Sequence, residues 1–278
     1  MSAGVVHVRL GGSGEPLLCL HGYPQNHLMW RDAAPLLARE RTVVVCDLPG
    51  YGKSSPPPAY DKRTVAALLG EAMRALGFER FALAGHDRGG RVGYRMALDA
   101  PQRISHLAVL DIVPTLEVWE GIDADIALGY WHWSFLAQPA PLPERLILGA
   151  PDAFFAAGAL GLADSRHTPA DVAAVYRAQL SDPSIVHAFC EDYRAGASVD
   201  RRHDAEDRER GLRIRAPVLA LWGARGRLDA WHDVLGIWRR WAERVDGRAL
   251  DASHFLVEER PAEVAEALLR FLAGPPGC

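Results

Sequence analysis

Phe81-Ala82-Leu83-Ala84-Gly85-His86-Asp87-Arg88-Gly89-Gly90-Arg91-Val92-Gly93-Tyr94-Arg95-Met96-Ala97-Leu98 is the stretch that decides how the chain folds. Residues 81–84 form a short apolar run of strand type, and residues 91–98 carry apolar side chains at helical spacing. Between them a G-x-D-x-G turn must reverse the chain sharply. Glycines at both ends admit a strained backbone and close strand-helix packing, so the central side chain is held exposed at a strand end. That central residue is Asp87. A carboxylate is ionised at neutral pH and needs no base before it attacks carbon, so an aspartyl ester is the intermediate this turn suggests.

Outward from the turn, strand and helix alternate. Toward the N-terminus, residues 5–10 alternate as a first strand, 16–20 read as a buried strand ending at His21-Gly22-Tyr23-Pro24, 29–39 as a helix and 42–46 as a β-branched buried strand. Residues 64–76 form a helix closed by Gly77, and residues 107–110 make the strand after the elbow helix, ending at Asp111. Near-continuous apolar strands separated by helices predict a mostly parallel sheet covered by helices on both faces, an α/β fold.

The rhythm breaks after Pro114. Residues 116–210 show no strand pattern but several helical patches, at 130–136, 151–160 and 169–180. We read residues 116–210 as a helical cap and residues 1–115 with 211–278 as the core. The nearly all-charged 201–210 stretch reads as a solvated segment leaving the cap. Strand and helix then resume at 217–222, 231–243, 248–250 and 261–272, before a frayed tail.

Composition narrows the function. A chain of 278 residues, 49 % hydrophobic with net charge −4 and no long basic run, can bury a large core. It offers no electrostatic footprint for nucleic acid or membrane. Cys19, Cys46, Cys190 and Cys278 are scattered without a C-x-x-C pair, which predicts free thiols. No leader pattern opens the sequence, and a cytoplasmic enzyme is expected.

In open parallel sheets, ligands bind beyond the carboxyl ends of the strands, so residues just after strands carry the chemistry. Besides Asp87, these are the His21-Gly22-Tyr23 loop, Asp111 and His254. His254 is the candidate general base, and Asp111 the acid that would fix its tautomer; Asp229, after the 217–222 strand, is the alternative acid. The backbone N–H groups of Tyr23 and Arg88 are the candidate oxyanion hole. His21 and His86 read as architectural. Arg88 and Arg91, three apart at the positive end of the elbow helix, suit a carboxylate held by two guanidinium forks. The alternative is that Arg88 pairs with a structural carboxylate. Arg95 reads as a surface charge.

Taken with Tyr130-Trp131-His132-Trp133, Cys190-Glu191-Asp192-Tyr193-Arg194 and Ser253-His254-Phe255-Leu256, the motifs His21-Gly22-Tyr23-Pro24-Gln25, Gly85-His86-Asp87-Arg88-Gly89-Gly90-Arg91 and Leu110-Asp111-Ile112-Val113-Pro114-Thr115 form a joint set. From about residue 5 to residue 272 the chain resembles the fluoroacetate (haloacetate) dehalogenase family. The resemblance implies an α/β-hydrolase fold with a helical cap, Asp87 as nucleophile, and Asp111 with His254 completing the triad. It also implies Arg88 and Arg91 on the substrate carboxylate, His132, Trp133 and Tyr193 on the departing halide, and a homodimer. The substrate expected is a short 2-haloacid, with no metal or organic cofactor. Ser134, where the family pattern has a bulkier aromatic, and a short 223–227 loop are departures that bear on pocket size.

Three rivals share the elbow or the fold. An epoxide hydrolase would place two cap tyrosines over Asp87 and a Trp where Arg88 stands. A haloalkane dehalogenase would also have that Trp, with an amide or acid where Tyr23 stands. A hydrolase-fold binding protein would have kept the pocket without turnover.

Overall fold

A computed structural model describes residues 4–158 and 167–274. The strands are β1 (Val8–Gly11), β2 (Pro16–Leu20), β3 (Thr42–Cys46), β4 (Phe81–His86), β5 (Ile104–Leu110), β6 (Val218–Gly223) and β7 (Val245–Leu250). They form one seven-stranded sheet in the order β1-β3-β2-β4-β5-β6-β7, in which only β1 runs antiparallel to its neighbour. Apolar residues run continuously along the inner strands because both faces are covered. In β3, Val44 and Cys46 enter one core while Val43 and Val45 enter the other, as the two-residue period of a strand requires.

The elbow is strained, as its sequence predicts. Asp87 sits at φ 44° and ψ −114° between β4 and the elbow helix (Arg88–Asp99). The glycines around it are needed for space. A Cβ on Gly85 would lie 2.4 Å from the Gly89 carbonyl oxygen, and one on Gly22 would lie 2.5 Å from the Asp87 Cβ. Asp111, at φ 54°, is the other non-glycine residue with positive φ among the described residues, and it too stands at a strand end.

Some local expectations need correction. The 29–39 helix is instead a 3₁₀ turn (His27–Trp30) and a single helical turn (Ala34–Leu37). Asn26 and Asp47 hold the first turn from its start, and Pro35, which only a helix beginning tolerates, restarts the second. The 231–243 helix is split into Leu228–Trp231 and Val234–Trp241, because the Asp233 side chain caps a new start at Gly236 N.

Between β5 and β6 the described residues hold helices, from Thr115–Glu120 to Val199–Glu209. The charged 201–210 stretch is solvated along one face only. It belongs to the Val199–Glu209 helix, where Asp200, Asp204 and Asp207 share one buried face. Nor is Arg95 a surface charge: only 2 % exposed, it donates to Asp204 Oδ1 (2.9 Å), to Asp207 and to Asp99 (3.1 Å). Tyr94 OH reaches Asp204 Oδ2 at 2.8 Å. Paired charges thus dock this helix onto the elbow helix, because charged side chains enter a core only with partners.

Cys19, Cys46 and Cys190 are buried free thiols, and Cys278 lies outside the described residues. Among the described residues no helix is long and apolar enough to cross a membrane.

Candidate active site

Four strand ends converge on one small cavity lined by Tyr23, Asp87, Arg91, Asp111, Tyr130, His132, Trp133, Tyr193 and His254. Measured for the centre of a water-sized sphere its volume is about 10 Å³, on the order of one water. A neighbouring cleft of about 350 Å³ shares Asp111, Tyr130 and His254 with it and is otherwise lined by residues such as Leu128, Arg225 and Arg227.

His254, after β7, places Nδ1 2.6 Å from Asp111 Oδ2, and Asp111 Oδ1 accepts the Gly223 N–H at 2.9 Å. A carboxylate only accepts, so Nδ1 carries the proton and Nε2 is the nitrogen left to act as base. Burial resists protonation of His254, but the Asp111 hydrogen bond and charge, with Asp87, outweigh it and raise the pKa above 6.5. The alternative acid, Asp229, is exposed and accepts from the Trp222 indole at 3.1 Å. The structure therefore brings Asp111, not Asp229, to the histidine.

Asp87 Oδ1 accepts the Tyr23 backbone N–H at 2.9 Å, which leaves Oδ2 to face a ligand. Burial opposes its ionisation, but the charges of His254, Arg88, Arg91 and His86 overcome that and hold its pKa at about 2. An anionic oxygen already seated on a backbone donor is where negative charge would return if water attacked an ester carbonyl. Arg88 follows as the first residue of the elbow helix. His86 donates from Nε2 to the His254 carbonyl oxygen at 2.8 Å, and His21 joins Gly22 O (2.8 Å) to Leu48 N (2.9 Å), so both act as architecture.

The two arginines divide. Arg91 lines the cavity; its Nη1 donates to Val113 O (3.0 Å) and Thr115 Oγ1 (3.1 Å), and its Nε has no hydrogen-bond partner among the described residues. Arg88 is fully buried and is absent from the lining. Its Nε and Nη2 grip Asp192 at 2.8 and 3.0 Å, so it does pair with a structural carboxylate, while Nη1 is left without a partner among the described residues. A buried donor without an acceptor is costly unless something arrives to accept from it.

His132, Trp133 and Tyr193 share the lining, with the Arg91 guanidinium 4.6 Å from the Trp133 ring centre and that of Arg88 4.3 Å from the Tyr193 ring centre. The Tyr193 ring lies 5.8 Å from His132 and 5.9 Å from Trp133, both edge to face. Burial holds the His132 pKa at about 3, so the imidazole is neutral and offers an N–H without a competing charge. Tyr130, one of the tyrosines (with Tyr176 and Tyr193) that an epoxide-hydrolase cap could draw on, stacks on Trp133 at 5.7 Å and borders both cavities. Asp192 was present in a quoted motif, but nothing local marked it as the Arg88 partner. Of the two departures, Ser134 is exposed and lies outside the pocket lining. The 223–227 loop borders the neighbouring cleft through Arg225, Gly226 and Arg227.

Residues 15–261 match the family model of the alpha/beta hydrolase fold. The chain is 43 % identical to fluoroacetate dehalogenase of Burkholderia sp. over 95 % of its own length and 89 % of the relative's. It is 31 % identical to the soluble epoxide hydrolase of Corynebacterium sp. (strain C12), covering 96 % and 93 %. Among solved structures, it is similar to a Pseudomonas aeruginosa protein assigned as an epoxide hydrolase, one variant of which holds bound MFA. That likeness has a TM-score of 0.92 and 46 % identity, covering 98 % of this chain and 93 % of that one.

Proposed function

The chain belongs to the alpha/beta hydrolase family and is a homologue of fluoroacetate dehalogenase, and from that premise we propose that it hydrolyses short 2-haloacids to 2-hydroxyacids. The observation that carries the reading is a buried Asp87 carboxylate that shares one small cavity with the Arg91 guanidinium and with three neutral donors, His132, Trp133 and Tyr193. Arg91, together with the Arg88 Nη1 that has no partner among the described residues, takes the substrate carboxylate. Asp87 Oδ2 attacks the halogenated carbon from behind, a C–O bond forms as the carbon-halogen bond breaks, and the halogen departs with the bonding electrons as halide toward His132, Trp133 and Tyr193.

The second half-reaction needs water. His254 Nε2 takes a proton as water adds to the Asp87 carbonyl carbon. The oxyanion collects on Oδ1 against Tyr23 N–H and Arg88 N–H, the acyl-oxygen bond breaks, and the proton returns to the departing hydroxyacid. Asp111 keeps Nδ1 protonated and stabilises the imidazolium throughout. In this reading the helices between β5 and β6 are a cap that brings the halide donors over the strand ends, with residues 1–115 and 211–278 as the core.

Epoxide opening by the same Asp87 and His254 is the second reading, favoured by the 31 % identity to a soluble epoxide hydrolase. Arg91, which lines the cavity and has no salt-bridge partner among the described residues, argues for an acid instead, because an epoxide brings no charge to match it. An ion-selective-electrode assay over mono-, di- and trihaloacetates and 2-halopropionates, with epoxides in parallel, tests the proposal. Halide release from chloroacetate or fluoroacetate is expected; epoxide turnover without halide release would overturn it.

A further inference from the structure

We infer that Lys62, which does not line the cavity, is a positioning residue for substrate binding: acting through Asp192, it aims Arg88 and keeps that cation available to an anion. The inference rests on the reading that Arg88 and Arg91 hold a substrate carboxylate. Lys62 opens the Lys62–Ala75 helix of the core and is only 3 % exposed. Its Nζ donates to Asp192 Oδ1, and Asp192 comes from the Pro183–Ala197 helix on the other side of the site. The same carboxylate receives Arg88 Nε and Nη2 and the Tyr51 hydroxyl (2.7 Å).

This sharing has an electrostatic consequence. A single carboxylate bound two ways by a single guanidinium cancels most of its field, and Arg88 would then offer little to a second anion. With Lys62 on the same carboxylate, two cations face one anion, and Arg88 keeps a surplus. Asp200 works against this. It accepts from Lys62 Nζ at 3.3 Å and from Lys62 N at 2.8 Å, and so draws part of the lysine charge away from Asp192. The Arg88 guanidinium lies 4.3 Å from the Tyr193 ring centre and 5.8 Å from that of Trp133, so any turn of the arginine would reach the cavity wall directly.

The two partners of Lys62 therefore predict effects of opposite sign. In steady-state chloride release from chloroacetate, Lys62→Met should raise KM about tenfold with kcat within about threefold, and Lys62→Arg should recover most of the loss. Asp200→Asn, which keeps an acceptor for the Lys62 N–H but removes the competing charge, should lower KM about two- to threefold. Loss of packing between the helices would raise KM in both variants and would not be rescued by arginine.

Equal KM values throughout, or both variants moving KM upward, would overturn the inference. Should Lys62→Met fail to fold, Asp200→Asn still decides the sign, and a KM at or above that of the parent would overturn the inference. If the wild-type protein releases no halide from any haloacid, it is the functional reading that has failed. Acetate titration of the same variants by NMR then ranks affinity, with Asp200→Asn tightest and Lys62→Met weakest if the inference holds, and a flat ranking if it does not.

Discussion

Acidification should separate the two half-reactions, because the groups that drive them titrate far apart. Asp87 attacks as a carboxylate, and with a pKa of about 2 it is ionised in all but about one molecule in 3,000 at about pH 5.5. His254 acts as a base only when neutral. Its pKa is raised above 6.5, so at about pH 5.5 fewer than about one tenth of the imidazoles can take a proton from water. When the ester forms, the Asp87 charge disappears, but the hydrogen bond and charge of Asp111, the larger causes of the upward shift, remain in place. Rapid-mixing measurement of chloride release from chloroacetate should show a burst of one chloride per site at about pH 5.5. The burst rate should lie within about twofold of its value at about pH 8.5, while the steady rate falls at least about tenfold. His254→Asn should give the same burst at the higher pH, followed by turnover slowed about 10²–10⁴-fold. A burst rate that falls in step with the steady rate, or no burst under either condition, would refute the assignment of the two residues to separate steps.

Other expectations follow from the same geometry. Arg91→Ala removes the guanidinium that lines the cavity, and kcat/KM for haloacetates should drop about 10- to 150-fold, the range of one or two charge-assisted hydrogen bonds, in a standard steady-state assay. His132→Asn, Trp133→Phe and Tyr193→Phe should each slow fluoride release about tenfold or more and bromide release far less, because fluoride depends most on donors as it leaves; equal effects on both halides would contradict the halide role. Glu258 is pushed up to about 7 by burial despite contacts to Gln25, Arg31 and Tyr176. A carboxyl raised above its ordinary 4.5 binds its proton first in the folded state, so its contribution is full below about pH 4.5 and is lost as pH rises through 7. Glu258→Gln should therefore flatten the decline in thermal stability between about pH 5 and pH 8.5, a slope worth about 1–3 kcal/mol in the parent, as followed by calorimetry.

The sheet and the elbow were legible because their signals are local. A run such as Thr42-Val43-Val44-Val45-Cys46 is buried on both faces wherever it lands, and G-x-D-x-G between a strand and a helix has few other uses. Asp111 and His254 could be proposed from their places after strands, and chain order alone left Asp229 open. What could not be read was which cap residue meets which core residue. Arg88 with Asp192, and Arg95 with Asp204 and Asp207, are partners more than 100 positions apart. Their pairing depends on how the inserted helices dock, which no periodicity encodes. An acid-rich helix read alone looks solvated; only the arginine beneath it shows that its Asp200, Asp204, Asp207 face is turned inward.

The covalent step is tested most directly by one turnover in heavy-oxygen water, with enzyme in excess over chloroacetate and both product and protein analysed by mass spectrometry. The first glycolate should carry an unlabelled hydroxyl oxygen taken from Asp87, and the peptide containing Asp87 should gain one heavy oxygen. Labelled glycolate with an unlabelled Asp87 peptide would mean that water attacks the substrate carbon itself, and that no aspartyl ester forms.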